Sequence, residues 1–307
     1  MLPVKKLSFA IPFIILLCGF FWQLNYFLGN PGFVLTLNMD IFIQLIFLTA
    51  LILGSSLFFV IFITLSPEYR YALPVIGIAA IPAVLLLPRP LSLLMGSILV
   101  IFLTTVYLLL LRKLKSYLNF QPTSILNPVV KQTAVLIIIL SSLAFYFSAG
   151  TNIKQNGFAI PDSLIDTALK IAPQQNFTIP GENAGLPSLT PEQIDFLEKN
   201  PEAIRQAGLD PKILKTIKEQ QANSQTPLST QDIIKSTVKA QFQEILTPYQ
   251  NYIAIILAVV LLFTLQTLQS LLALTLSPLI LFIFWILEET KFVHYEVETR
   301  EVKKLVV

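Results

Sequence analysis

Charge is what this sequence has least of. Asp, Glu, Lys and Arg make up 13% of 307 residues and hydrophobic residues 54%, where soluble domains carry about 25% and roughly 45–50%. Nearly all of the charge lies outside two apolar regions, 8–149 and 251–287. A soluble core cannot hide so many near-continuous runs of about 20 apolar residues, so the chain reads as an integral membrane protein. Cysteine is almost missing as well. Cys18 alone excludes an intramolecular disulfide and any cysteine-based metal cluster. His294 is the single histidine, so there is no histidine pair for a metal. A net charge of +3 with no basic stripe argues against nucleic acid as a partner. There is also no Walker loop, dinucleotide glycine motif or nucleophile elbow.

Apolar spans are what is present. The start, "MLPVKKLSFAIPFIILLCGFF", is basic then apolar like a signal peptide, but it lacks a small-x-small cleavage site and its apolar run is too long. It reads as a retained first span. "LLCG" is not a lipoprotein cleavage site, because Leu17 stands where a small residue is needed. Helices are predicted at about 8–28, 40–65, 71–88, 91–111 and 131–149. Pro74 and Pro82 interrupt the third, which neighbouring helices can tolerate. "LPRPL" (87–91) is a tight turn, since a residue before proline is pushed out of helix. With the N-terminus inside, the inner segments hold Lys5, Lys6, Arg70, Arg112, Lys113, Lys115 and Lys131, and the outer ones only Arg89. The bias of Lys and Arg toward the cytoplasm therefore puts the N-terminus there and Gly150 on the far side.

Residues 150–250 read as a small extracytoplasmic helical domain with a flexible linker, "APQQNFTIPGENAGLPSLTPEQ". Thr190-Pro191 with Gln193, and Asp210-Pro211, are helix starts. Ile194, Leu197, Ile204, Leu209, Ile213, Leu214 and Ile217 form a core that is thin for about a hundred residues, so the domain is expected to lean on membrane, partner or second copy. Stripes at 160–172 and 234–249 flank it. They fit packing within the domain, another subunit or lipid headgroups.

The last apolar stretch contains "FTLQTLQSLL" (263–272). As one helix, residues 252–287 would be roughly 54 Å long against a hydrocarbon core of ~30 Å. A hairpin of 250–266 and 270–287 is therefore predicted, giving seven spans. Its cost is that Lys291, Arg300, Lys303 and Lys304 then lie outside. The alternative is six spans, with one helix bent near Ser277-Pro278. Alternation over 292–300 predicts a strand in the tail, paired within the chain or with a partner sheet. "LQSLL" and "SPLILFIFWILEETKF" together resemble the C-termini of uncharacterised multi-pass membrane proteins of genome-reduced bacteria. The resemblance implies a bacterial inner membrane and no particular chemistry.

The spans hold no ionisable side chain between their ends, which lowers the case for a proton- or sodium-coupled transporter. Gln23, Asn25, Gln44 and the span serines fit interhelical hydrogen bonds more simply than a solute path. Ala50 with Gly54, and Ala79 with Ala83, are small pairs suited to close helix approach. Asp162, Asp166, Glu192, Asp195 and His294 read as solvated side chains, and "NFT" (176–178) is a glycosylation sequon.

The expected architecture is an all-α integral membrane protein of about seven transmembrane helices with a short C-terminal β-strand tail. Residues 1–149 form a five-helix transmembrane region, 150–250 the extracytoplasmic domain, 251–287 the hairpin and 288–307 the charged tail. The expected function is non-enzymatic. The 151–250 domain would serve an envelope scaffold through a protein partner or homo-oligomer, with the lipid bilayer as the other partner. The alternatives are a channel or uncoupled transporter, and a membrane enzyme acting on a lipid-linked substrate. No catalytic residue, cofactor or metal ligand is expected.

Overall fold

The computed structural model describes residues 7–29, 31–35, 38–89, 91–116, 120–158, 161, 165 and 246–293. About nine-tenths of these are helical, with no strand among them. The helices are α1 Ala10–Leu28, α2 Met39–Leu65, α3 Tyr69–Leu86, α4 Leu91–Ser116, α5 Pro122–Asn156, α6 Gln250–Leu272 and α7 Leu276–Glu289. Six helical runs are long and apolar enough to cross a membrane, α6 and α7 counting as one run, Tyr252–Glu289. In hydrocarbon only a helix or a closed barrel satisfies its own backbone, so apolar runs of this length become helices.

Local chemistry sets the breaks. Leu87 is extended (φ −87°, ψ 149°) ahead of Pro88, and Glu68 is extended after Pro67. Pro74 and Pro82 lie inside α3 without ending it. α5 begins nine residues earlier than the predicted 131, because Pro122 takes the first helical position, where its missing N–H costs nothing.

The chain divides into two units. In the first (Met1–Asn30, Phe42–Ser148, Ala258–Val307), α1 buries Phe13, Leu17, Phe20, Phe21, Leu24 and Phe27 at three- and four-residue spacing and turns Ile11, Ile15 and Trp22 outward. α2 is the most enclosed helix, with 67% of its apolar window buried. A Cβ on Gly54 would lie 3.1 Å from Leu16 on α1, and one on Gly96 of α4 would lie 3.1 Å from Val84 on α3. These glycines let neighbouring backbones approach closely. Ala79 and Ala83 are fully buried as a small pair should be, whereas Ala50 is exposed and does not share the role of Gly54. Because lipid is as apolar as phenylalanine, packing contacts hold these helices together more than water exclusion does.

Contacts in this unit also fix which helix ends lie together. Phe9, at the start of α1, stacks on Phe58 (ring centroids 6.2 Å) and meets Phe292 edge-on (6.1 Å). Tyr107 donates to the Pro67 carbonyl at the same end (3.0 Å). At the other end Ser148 donates to the Leu28 carbonyl (3.0 Å). Asn127 bonds Ser277 and Phe120 packs on Phe284, so seven residues forward on one helix is seven back on the other and the pair is antiparallel.

The predicted hairpin at 266–270 does not occur. α6 runs unbroken from Gln250 to Leu272, and a single 3-10 turn, Ala273–Thr275, leads into α7 with helical dihedrals on both sides. The Phe9 contact brings Phe292 to the same end as the start of α1, and the described residues hold six helical runs, not seven, long and apolar enough to cross a membrane.

α7 stops in a reverse turn. Phe292 N–H bonds the Leu287 carbonyl (2.9 Å) and Lys291 N–H bonds that of Glu288 (2.9 Å). Lys291 is left-handed, with φ 54°, at the position usually taken by glycine. This stop aims Phe292 back at Phe9.

In the second unit (Pro31–Ile41, Ala149–Leu257), Pro31–Leu35 is a 3-10 turn in which a Cβ on Gly32 would sit 3.1 Å from Pro161. Asn38 accepts from the Asp40 N–H, capping the start of α2 (3.4 Å). α5 ends at Gly157, whose φ of 73° suits glycine, and Phe158 and Ile165 are buried. The expected linker, the helical cluster over 194–217 and the tail strand beyond Val293 lie outside the described residues.

Candidate functional site

Two features of the first unit combine residues in ways the sequence alone does not display. One is polar. Asn127 precedes Pro128 on α5, Ser277 precedes Pro278 on α7, and the Asn127 Nδ2 donates to the Ser277 Oγ at 2.8 Å. Each proline lacks an N–H and so frees one carbonyl a turn earlier, that of Ser124 or Leu274. The 3-10 turn Ala273–Thr275 lies where the second bond is lost, and there the Thr275 hydroxyl bonds the Leu272 carbonyl (2.7 Å). The Asn127 Oδ1 is buried without a partner among the described residues.

The other feature is apolar. Between α1 and α3 runs an open groove of about 520 Å³, lined by Ile14, Cys18, Gly19, Trp22, Ile78, Ile81, Pro82, Leu85 and Leu86. Two small residues, Cys18 and Gly19, are among its lining. Trp22, Ile81 and Leu85 stand out at its rim, 71%, 50% and 75% exposed, and do not close it.

Most of the other hydroxyls within the helices are bonded locally, although the Ser142 Oγ on α5 is buried without a partner among the described residues. Thr49 donates to the Leu45 carbonyl, Ser55 and Ser56 to that of Ile52, Thr133 to Val129 and Ser141 to Ile137, all within 3.0 Å. The span serines were expected to bond between helices: Ser55, Ser56 and Ser141 bond back along their own, whereas Ser148 and Ser277 bond to a neighbouring helix. The same chemistry explains "FTLQTLQSLL". Thr264, Thr267 and Ser270 donate to the carbonyls four residues earlier, so these three hydroxyls are satisfied within the helix, which continues. Gln269 faces inward, 4% exposed. The spacing of three between those hydroxyls was the legible signal of a helix face.

Asn25 is exposed, and Gln23 and Gln44 are half-buried. Asp162, Asp166, Glu192, Asp195, His294 and the sequon lie outside the described residues. Among the described residues no Asp, Glu, Lys, Arg or His is buried, and no three His, Cys, Asp or Glu side chains are grouped to hold a metal ion. The arrangement offers packing, one interhelical polar bond and a surface for an apolar chain. No family model, curated protein or solved structure matches the chain.

Proposed function

We propose that the chain is a bacterial inner-membrane anchor that presents residues 150–250 outside the cytoplasm as the interaction module of an envelope assembly. The observation that carries this reading is the filled interior of the first unit. Phe13, Phe20, Phe21, Phe59, Phe62 and Phe145 are wholly buried there. Such packing gives a solute no wet path, and it suits a support more than a channel.

The orientation rests on charge. Arg70, Arg112, Lys113, Lys115 and Lys291 belong to the end that carries Phe9, Pro67 and Phe292, and cytoplasmic loops are the ones enriched in Lys and Arg. With six spans the basic tail joins that end and the conflict of the seven-span reading disappears. The segment between α5 and α6 then faces outward, while both chain ends face the cytoplasm.

The test combines flux and crosslinking. The full chain in proteoliposomes should leave them as tight to small solutes as protein-free vesicles. A photo-crosslinker at Ser224 in intact cells should yield one discrete protein adduct, lost when a photo-crosslinker at Ser116 is used instead. Solute flux that persists after residues 157–249 are replaced by a flexible linker would overturn the reading in favour of a transport path.

A further inference from the structure

We propose that the groove between α1 and α3 is a binding site for one anionic phospholipid, with an acyl chain in the groove and the phosphate at Arg89. The lining is apolar from end to end, and it extends along α3 from Ile78 to Leu86, about 12 Å of helix. That suits a stretch of one hydrocarbon chain. A flat helix pair would present ridges to lipid; here Cys18 and Gly19 line the groove with Ile14 and Pro82 while Trp22, Ile81 and Leu85 stand exposed beside it.

The second observation is Arg89. It is exposed in the turn that ends α3, three residues beyond the groove-lining Leu86, and has no ion-pair partner among the described residues. It is also the basic residue of the short α3–α4 connection at the end opposite Phe9, where the charge bias of the chain disfavours one. A guanidinium on the turn just beyond the groove-lining end of α3 suits the two parts of an anionic phospholipid: its planar fork binds phosphate oxygens in pairs, while the chain would lie in the groove. Trp22 lines the groove together with Leu85 and Leu86, and indoles favour the headgroup boundary. A zwitterionic lipid would fill the groove equally well but would give Arg89 a headgroup of no net charge.

Tryptophan fluorescence tests this directly, because Trp22 and Trp285 are the two tryptophans of the chain. With Trp285→Phe, emission reports on Trp22 alone. The full chain is reconstituted in phosphatidylcholine with a minor fraction of chain-brominated phosphatidylglycerol or, in parallel, chain-brominated phosphatidylcholine. The expected result is that the anionic lipid quenches Trp22 at about fivefold lower mole fraction, the preference one surface arginine gives for anionic lipid. Arg89→Gln, a surface change in a turn, should abolish the preference and leave ordinary quenching. Cys18→Phe, which fills the groove, should reduce quenching by both lipids. Equal quenching by the two lipids in the starting protein, or a preference that survives Arg89→Gln, would overturn the proposal. So would shielding of Trp22 from both lipids, the sign of a second protein copy on this face. The basic cluster at the opposite end does not confuse the readout, since Trp22 lies near the Arg89 end.

Discussion

Asn127 and Ser277, 150 residues apart, are joined by a hydrogen bond of 2.8 Å, and each stands immediately before a proline. The bond pins two antiparallel helices at the level where both have lost a backbone hydrogen bond. It links α5 beside Pro128 to the start of α7.

Ser277→Ala strands the Asn127 amide and should destabilise the protein by about 1 kcal/mol, within the range of hydrogen bonds between membrane helices. Asn127→Leu should cost less, because it also removes the Oδ1 that has no partner among the described residues. Reversible unfolding in bicelles compares the two. Equal costs would mean the unpartnered oxygen carries no penalty.

Phe9 against Phe292 predicts the side of the tail. In a Cys18→Ser background, a cysteine at Val306 should react with a membrane-impermeant thiol reagent only after lysis, as one at Ser116 does. A cysteine at Ser224 should react in intact cells once any outer barrier is permeabilised. Labelling of Val306 alongside Ser224 would contradict the six-span topology.

Lys291 holds a left-handed conformation that costs a non-glycine residue roughly 1–2 kcal/mol. Lys291→Gly should recover about 1 kcal/mol of this, less the loss of a cation beside the helix C-terminus. The measurement is thermal unfolding of the purified protein in detergent, and an unchanged or lower midpoint would show that the charge matters more than the backbone.

Three glycines should respond differently to added side chains. Gly96→Val drives atoms at Val84 and toward the Ala80 carbonyl, and Gly54→Val drives them at Leu16, so each should cost about 1–3 kcal/mol from overpacking. Gly77 has nothing within 4 Å of a Cβ, and Gly77→Ala on exposed helix should gain about 0.5–1 kcal/mol. Thermal melts of the three variants under one condition check the order.

The membrane class, the first five spans, the break at "LPRPL" and the continuation of α3 through two prolines were all legible in the residues. Each is a local matter: run length, proline geometry, the need of a backbone in lipid to bond to itself. The groove was not legible, since Cys18 and Gly19 line it only when Ile78 to Leu86 stand beside them.

The path of the last apolar stretch lay beyond such rules. Its polar residues fit a turn or one face of a helix equally well until the hydroxyls of Thr264, Thr267 and Ser270 are seen bonded to their own backbone. Its length argued for a reversal because tilt alone was judged too small to absorb the excess, and length by itself does not say how a helix packs. Composition and charge are what make this chain read as a membrane protein, because the cost of burying bare polar groups in lipid depends on nothing distant. Contacts between remote residues, Phe9 with Phe292 and Asn127 with Ser277, settled how its last helix leaves, because there several locally satisfied paths differ only in what they pack against.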